Sequence, residues 1–363
     1  MSASRYEIEA SLRATIFGEI QLCRDRVTLE PVVIKCVDLY LALRQTSRSQ
    51  ELVQENVQLE VEVMNRVRTL GGHPNVINMH SYFVANGVLH MVLDYCEGGD
   101  LLDACVQSSA TAKEVEYKSC KSNSNNNQKE DAVVANGARV INVWSPEDEN
   151  EDVENHSGSF LNDVDGNKRM KESVAHKYLV DVLSGLRFLH SNGIAHRDVS
   201  LENILMRNGS AVITDFGLCV QDSLLSSTSS FHRLTAREFL CEEMVGKNYY
   251  MAPEVVAHEH YDPKCADIWS TGIAFFILLT SSPPFERADP SDPGFRYVAK
   301  RGIKAMFTAW GLDQDVSEQM QDLLGRMLCV DPEKRITMDE IWQHPVLQRL
   351  KDRSLVGRSG RLD

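Results

Sequence analysis

The sequence predicts an α+β fold with a small, strand-rich lobe followed by a larger, mainly helical lobe. Between residues 16 and 95, the β-branched runs EPVVIKCVDL and GVLHMVLDYC lie on either side of one long segment with helical spacing of apolar residues, from Leu52 to Leu70. A second segment, from Val174 to Leu189, has the same spacing, and short strands then lead into further helical segments. We therefore expect two lobes, with a single helix in the first.

A stretch of different composition, residues 106–171, interrupts the second lobe. It contains the Asn-rich run KSNSNNNQKE and the acidic run EDENEDVE, and it has too few apolar residues to bury a core of its own. The sequence predicts a disordered insertion here. Residues 351–363 are expected to form a short C-terminal tail.

Composition and charge limit the classes of function. Of the 363 residues, 43% are hydrophobic and 25% are charged, which is an ordinary globular balance. The formal net charge of -14 argues against nucleic acid as a partner, because phosphate neutralisation requires clustered Lys and Arg. The nine cysteines include no CxxC pair, so neither a zinc ribbon nor a disulfide framework is expected.

The sequence shows no membrane or export signal. The run MSASRYEIEA has no apolar signal region and no Gly after the initiator Met, and the apolar stretch from Ile273 to Leu279 is too short to span a bilayer. We expect a soluble, cytoplasmic protein without a membrane anchor, with the nucleus as an alternative location.

Four motifs follow one another in a fixed order in the second lobe, with a strand lysine far upstream. They are His196-Arg197-Asp198, Asn203, Asp215-Phe216-Gly217 and Ala252-Pro253-Glu254, and the lysine is Lys35. This ordered set resembles the protein kinase family, and the resemblance covers nearly all of the chain outside the insertion. It implies a bilobal kinase domain at residues 6–350, with an antiparallel N-lobe sheet and one helix C in residues 6–95, and a mainly helical C-lobe in residues 96–350.

The resemblance implies ATP-dependent transfer of the γ-phosphate to Ser or Thr hydroxyls of protein substrates, with Mg²⁺ as the metal. Asp198 would orient the attacking hydroxyl or accept its proton. Asn203 and Asp215 are hard oxygen donors of the kind that Mg²⁺ prefers.

Lys35 is a cation among apolar strand neighbours, which is an unfavourable place unless the charge is paired. By the resemblance, its partners are the α and β phosphates and a glutamate of helix C. We favour Glu60 as this glutamate, because choosing Glu62 would put Asn65 at an apolar position of the family pattern.

The segment MVLDYCEGGDL resembles the linker that joins the two lobes in the family. By this resemblance, Leu93 lies at the back of the adenine pocket, and backbone groups of Asp94 and Cys96 hydrogen-bond adenine. The residues expected to close on the ring are Ile20, Val33 and Leu205. Because these side chains are all apolar, an ordinary core position is the alternative for each of them.

Two matches are architectural. Asp267 resembles the aspartate that holds the backbone of the catalytic loop in the family, and Arg335 resembles the arginine that pairs with Glu254. Loss of one partner of such a buried pair is expected to be strongly destabilising.

The glycine-rich loop departs most from the family pattern. Alignment of Phe17 to Ile20 on its end places Arg13 and Thr15 where the first two glycines belong, and Gly18 alone remains. Side chains there restrict positive φ and keep backbone N–H groups away from the phosphates. We expect weak ATP binding, with Arg13 as a candidate phosphate ligand in place of the lost amides.

Two more departures belong together. Ser200 replaces the lysine that serine/threonine kinases carry two residues after the catalytic aspartate, and Lys247 replaces a threonine in VGKNYYMAPE. Both positions are expected to lie beside Asp198. One hypothesis is that Lys247 brings its ammonium group to the transferring phosphate, and the alternative is that it points to solvent.

Specificity is indicated by neighbouring residues. Tyrosine kinases carry an arginine near Asn203 and a Trp before the Ala-Pro-Glu motif, whereas this chain has Glu202 and Tyr-Met at these places, which favours Ser/Thr. Asp100 and Glu202 resemble acidic positions that recognise Arg ahead of the acceptor, so we expect protein substrates with nearby basic residues. The alternatives are a ribose contact for Asp100 and plain surface charge for both.

The position that is commonly phosphorylated in the family falls on Glu243. A carboxylate there is expected to pair with Arg197 and order the activation segment without phosphate, with the hydroxyls of Ser226 to Ser230 as optional modulators. The rival interpretation of the chain is a pseudokinase, a binding or scaffold module that has lost catalysis through its degraded glycine-rich loop.

Overall fold

The computed structural model describes residues 3–105, 169–222 and 239–348. The strands of the first lobe are β1 (Tyr6–Ala14), β2 (Gly18–Asp25), β3 (Pro31–Asp38), β4 (Met79–Ala85) and β5 (Val88–Asp94). They form one five-stranded antiparallel sheet in the order β1-β2-β3-β5-β4. The central strand β3 is buried over most of its length, which explains the nearly continuous apolar run VVIKCV.

A short helix, α1 (Leu39–Leu43), follows β3 directly. It begins there because the Asp38 carboxylate accepts hydrogen bonds from the backbone N–H groups of Tyr40 and Leu41. The expectation of a single helix in this lobe is therefore wrong: the capping aspartate starts a helix too short for its apolar spacing to be recognised.

The long helix of this lobe, α2 (Val57–Thr69), begins later than the apolar spacing predicted. Asn56 sets its start by accepting a hydrogen bond from the backbone N–H of Leu59. Leu52 is 89% exposed and forms a β-bridge with Thr46 instead. The apolar spacing was misleading only at its start, because Leu52 has no core to pack against, whereas Val57, Val63, Met64 and Val67 are buried on α2.

The second lobe is mainly helical. In the described residues from 169 onward, the helices are α3 (Glu172–Ser191), α4 (Pro253–Val256), α5 (Pro263–Thr280), α6 (Pro293–Arg301), α7 (Lys304–Ala309), α8 (Glu318–Met327) and α9 (Met338–Gln343). Two antiparallel pairs of short strands join them, β6 (Ile194–Ala195) with β9 (Val220–Gln221) and β7 (Ile204–Arg207) with β8 (Ser210–Ile213). Helix α5 is buried on nearly all sides, and Trp269 and Phe276 on it are fully buried. The architecture is the α+β, two-lobed arrangement that the sequence predicts.

A buried ion pair connects two parts of the second lobe. The guanidinium of Arg335 donates to both carboxylate oxygens of Glu254, at 2.6 and 2.9 Å, and lies 5.0 Å from the centre of the Trp269 ring. Both charged side chains are almost fully buried. Each therefore depends on the other for compensation of its charge.

Several sequence expectations fall outside the described residues. These are the insertion over 106–168, the hydroxyl-rich run around Ser226 to Ser230, and the tail at 351–363. The last residues assigned to the insertion, 169–171, are described, and the backbone N–H of Met170 donates to the Leu278 carbonyl of α5 at 3.2 Å. Across the three described ranges, no helix combines the length and apolarity that a membrane span requires.

Candidate active site

Asp267 of α5 holds the backbone of the loop that carries His196, Arg197 and Asp198. The two oxygens of Asp267 accept hydrogen bonds from the backbone N–H groups of His196 and Arg197, each at 2.8 Å. His190 Nε2 lies 2.9 Å from the same carboxylate. Arg197 has the left-handed φ of 63°, which costs free energy and is kept by these contacts.

The two carboxylate oxygens of Asp198 have different surroundings. Oδ2 accepts hydrogen bonds from Asn203 Nδ2 at 2.7 Å and from Lys247 Nζ at 3.1 Å. Oδ1 is buried and has no hydrogen-bond partner among the described residues. Burial raises the pKa of Asp198, and the nearby Lys247 ammonium partly offsets this rise. The side chain is thus anchored through one oxygen while the other is available to a further donor.

Lys35 on β3 joins two carboxylates. Its ammonium donates to Glu60 of α2 at 2.7 Å and to Asp215 at 3.2 Å. Burial disfavours the charged amine, but Asp215 and Glu60 outweigh this effect and raise the pKa of Lys35. In return, the Lys35 charge lowers the pKa of Asp215 to about 2, so both groups are ionised at neutral pH. The competing candidate, Glu62, instead accepts a hydrogen bond from Gln221.

Asn203 and Asp215, the expected metal ligands, lie on neighbouring stretches of backbone, since the N–H of Thr214 donates to the Asn203 carbonyl at 3.0 Å. The Asn203 amide nitrogen is occupied by Asp198, so the amide oxygen is the group it offers to a cation. Within the described ranges, no three His, Cys, Asp or Glu side chains form a ready-made metal centre. Two hard oxygen donors fit Mg²⁺, which completes its octahedron with waters and substrate phosphates.

Glu55 is a site residue that the sequence analysis did not identify. It precedes the cap of α2, and its side chain packs against Gly217, where an added β-carbon would lie 3.1 Å from Glu55 Cγ. The backbone N–H of the next residue, Asn56, donates to the Gly217 carbonyl at 2.8 Å. Burial is the main cause that raises the pKa of Glu55 to about 7, and the negative charge of Asp215 adds to the rise.

The residues expected around adenine lie on β2, β3 and β5 of the first lobe, on the linker, and on β7 of the second lobe. Ile20 is paired with Lys35 across β2 and β3, and Val33 is paired with Leu93 across β3 and β5. The residues that are only half-buried are Ile20, Val33 and Leu205, whereas Leu93 and Cys96 are buried. Half-burial of apolar side chains suits the walls of an open cleft better than an ordinary core.

The linker backbone is fixed to the second lobe. The Gly98 N–H donates to the Met206 carbonyl at 3.0 Å, and Asp100 forms a β-bridge with Leu205. The side chain of Asp94 is bound by Arg207 and by His80 Nε2, the latter at 2.9 Å. The Asp94 side chain is thereby engaged within the protein, and its backbone N–H donates to the Asn78 carbonyl at 3.2 Å.

The turn that replaces the glycine-rich loop is tight. The Thr15 N–H donates to the Gly18 carbonyl at 2.9 Å, and β1 pairs Arg13 with Ile20 of β2. Gly18 is required by packing, because an added β-carbon would lie 1.9 Å from the Cys36 carbonyl oxygen of β3. The guanidinium of Arg13 is directed to the second lobe, 3.9 Å from the Asp100 carboxylate.

Lys247 lies against the catalytic loop. Its ammonium donates to Ser200 Oγ at 2.8 Å as well as to Asp198 Oδ2, and the Lys247 side chain is 36% exposed. The alternative expectation, that Lys247 points to solvent, is therefore wrong. The nearby Tyr250 hydroxyl donates to Glu202 at 3.3 Å.

Comparison with known proteins identifies the family. The family model for the protein kinase domain matches residues 6–123 and 150–347. The chain belongs to the protein kinase family.

Similar curated proteins include several plant kinases. CBL-interacting protein kinase 5 of Oryza sativa subsp. japonica is 25% identical over 343 residues, which cover 94% of this chain and 55% of that protein. Serine/threonine-protein kinase SRK2C of Arabidopsis thaliana is 28% identical over 344 residues, covering 94% of this chain and 74% of that protein. Serine/threonine-protein kinase SAPK2 of Oryza sativa subsp. indica is 27% identical over 345 residues, covering 94% and 76%. The chain thus spans about half the length of the first relative and about three quarters of the other two.

In this chain, the segment before the Ala-Pro-Glu motif is attached to the catalytic loop through a carboxylate. Arg197 Nη1 donates to Glu243 Oε2 at 3.0 Å, and Arg197 Nε donates to the Leu218 carbonyl at 2.8 Å. The Tyr261 hydroxyl donates to the Glu243 carbonyl at 2.9 Å. Glu243 therefore pairs with Arg197, the contact that the sequence predicts.

Proposed function

We propose that this chain is an active protein serine/threonine kinase that uses ATP and Mg²⁺. The observation that carries the proposal is the assembled pair of carboxylates: Asp215 is paired with Lys35, and Asp198 keeps one buried oxygen without a partner. Two carboxylates in different environments are suited to different tasks, one to the metal and phosphates, the other to the attacking hydroxyl.

In the proposed reaction, the acceptor hydroxyl donates its proton to Asp198 Oδ1. The hydroxyl oxygen forms a bond to the γ-phosphorus while the bond from that phosphorus to the bridging oxygen breaks, and ADP leaves with the electron pair. Lys35 holds phosphate oxygens in place, and Glu60 keeps Lys35 charged and oriented. Mg²⁺ held by Asn203 and Asp215 would neutralise developing charge on the phosphate oxygens.

Acceptor specificity for Ser or Thr is supported by the residues around the catalytic loop. Glu202 precedes Asn203 where tyrosine kinases carry arginine, and its carboxylate accepts the Tyr250 hydroxyl. Relatives of 27% and 28% identity are named serine/threonine-protein kinases, which agrees with this assignment.

We further propose a preference for basic residues ahead of the acceptor. Asp100 and Glu202 lie close enough to interact electrostatically, and burial together with nearby negative charge raises the pKa of Asp100. A substrate guanidinium between Asp100 and Glu202 would compensate both the burial of the Asp100 carboxylate and the repulsion between the two negative charges. A peptide array in which acidic or proline-directed peptides are phosphorylated best would refute this preference.

The rival function, a scaffold without catalysis, is favoured by one observation: Arg13 and Thr15 stand where the family has glycines, so fewer backbone N–H groups face the phosphates. We expect a high KM for ATP rather than an inactive protein, because Lys35, Glu60, Asp198, Asn203 and Asp215 are all retained.

The test is transfer of labelled phosphate from ATP to a generic basic protein, with Asp215→Ala as the control. We expect Mg²⁺-dependent label on Ser and Thr, and at least a hundredfold loss in the variant. Equal incorporation by both proteins, or none above background by either, would refute the proposed activity. Label on Tyr would refute the specificity.

A further inference from the structure

The ammonium group of Lys247, from a distant segment of the sequence, lies against the catalytic loop. Ser200, two residues after Asp198, is completely buried and accepts a hydrogen bond from Lys247 Nζ at 2.8 Å. The same ammonium lies 3.1 Å from Asp198 Oδ2. A short hydroxyl at position 200 thus leaves space that the longer side chain of Lys247 fills.

The backbone around Lys247 is built to bring it there. Gly246 has a φ of 101°, and an added β-carbon would lie 3.0 Å from the Arg197 carbonyl oxygen, so this glycine allows close approach of the two loops. On the other side, the Lys247 carbonyl accepts hydrogen bonds from the N–H groups of Tyr250 and Met251 at 2.9 and 3.2 Å. The base of the lysine side chain is therefore fixed on both sides.

We propose that Lys247 is a catalytic residue whose ammonium binds oxygens of the phosphoryl group during its transfer. The inference rests on the proposed kinase function. An acceptor hydroxyl hydrogen-bonded to Asp198 lies about 2.7 Å from the carboxylate, and the phosphorus under attack lies about 3–3.5 Å beyond it. An ammonium 3.1 Å from the same carboxylate is within reach of the phosphoryl oxygens.

A purely structural role does not explain the geometry. Asp198 Oδ2 is already fixed by the Asn203 amide at 2.7 Å, so the aspartate does not need Lys247 for its orientation. More than a third of the Lys247 side chain remains exposed beside the catalytic aspartate.

The positive charge of Lys247 should stabilise the transition state more than the ground state, because negative charge on the transferring phosphoryl group is then shared with the attacking and leaving oxygens. Loss of Lys247 should therefore lower kcat and leave the KM values for ATP and peptide nearly unchanged. A lysine restored at position 200 should recover part of the lost kcat, since Ser200 Oγ marks the place that the ammonium occupies.

The experiment compares kcat and KM for wild type, Lys247→Thr, Lys247→Arg and Lys247→Thr with Ser200→Lys. Lys304→Thr is the matched control, since Lys304 pairs with Glu318 on the surface at 3.4 Å. Melting temperatures establish that each variant is folded. We expect a fall of about 100-fold in kcat for Lys247→Thr, less than threefold change in either KM, at least tenfold recovery in the double variant, and wild-type rates for the control.

The outcomes separate this inference from the proposed function. A wild type that transfers no phosphate overturns both. An active wild type with an equally active Lys247→Thr variant overturns the role of Lys247 alone, as does a loss confined to KM. A double variant that folds but recovers no kcat also overturns the role of Lys247. If the double variant does not fold, the comparison of Lys247→Arg with Lys247→Thr decides instead: equal kcat values for these two variants overturn the role of Lys247.

Discussion

Replacement of Glu243 by Ala is expected to weaken the attachment of the activation segment to the catalytic loop without abolishing activity. The Arg197–Glu243 pair is 3.0 Å long and joins a side chain that is 10% exposed to one that is 63% exposed. An ion pair with one exposed partner contributes about 1 kcal/mol, because water and salt screen it. A change of about 1 kcal/mol shifts an ordered–disordered equilibrium by roughly fivefold, so kcat/KM should fall by up to that factor.

The assay is peptide phosphorylation by phosphatase-treated protein at low and high salt. We expect wild type to keep most of its activity after phosphatase treatment, and the difference between wild type and Glu243→Ala to shrink at high salt. Glu242→Ala is the matched control, since Glu242 pairs with His260 at 2.9 Å on the surface. Abolition of activity by phosphatase, or an unaffected Glu243→Ala variant, would refute the reasoning.

Further predictions concern stability. Gly18→Ala places a β-carbon 1.9 Å from a carbonyl oxygen of β3 and should lower the free energy of unfolding by about 3 kcal/mol. The control is Gly325→Ala, whose β-carbon would meet nothing closer than 3.9 Å and which should leave the free energy of unfolding unchanged. Urea unfolding of both variants tests the difference, and equal stabilities would contradict it. Arg335→Met leaves Glu254 buried without its partner and should cost about 3–5 kcal/mol in the same assay, so a cost below 1 kcal/mol would contradict the account. Glu55 has a pKa raised to about 7 from 4.5, so the folded chain keeps this proton to higher pH than the unfolded chain does. Stability relative to Glu55→Gln should therefore fall between pH 5 and pH 8, by on the order of 1–3 kcal/mol, and an equal difference at both pH values would exclude the effect.

Much of the site follows from spacing in the sequence. Resemblance to the helix C pattern of the family distinguishes Glu60 from Glu62, and the structure buries Glu60 together with Val63 and Met64 on α2. The resemblance to the family, with counting back from Glu254, likewise assigns Glu243 to the commonly phosphorylated position and predicts its pairing with Arg197, a contact that the structure contains.

Other features depend on contacts between distant segments, which spacing does not encode. Glu55 lies outside the periodic part of α2 and enters the site because the neighbouring backbone bonds to Gly217. Gly18 resembles a phosphate-binding glycine in the sequence, but the need for it comes from the close approach of β2 and β3. The start of α2 was misplaced because an exposed leucine continued the apolar spacing by chance.

The central claim, that Asp198 receives the acceptor hydroxyl at an active phosphotransfer site, is tested most directly by the kcat of Asp198→Asn. The amide nearly preserves the shape of the side chain but removes its charge and its basicity. We predict a fall in kcat of about 10²–10⁴-fold with little change in the KM for ATP. An Asp198→Asn variant with wild-type kcat would contradict the account.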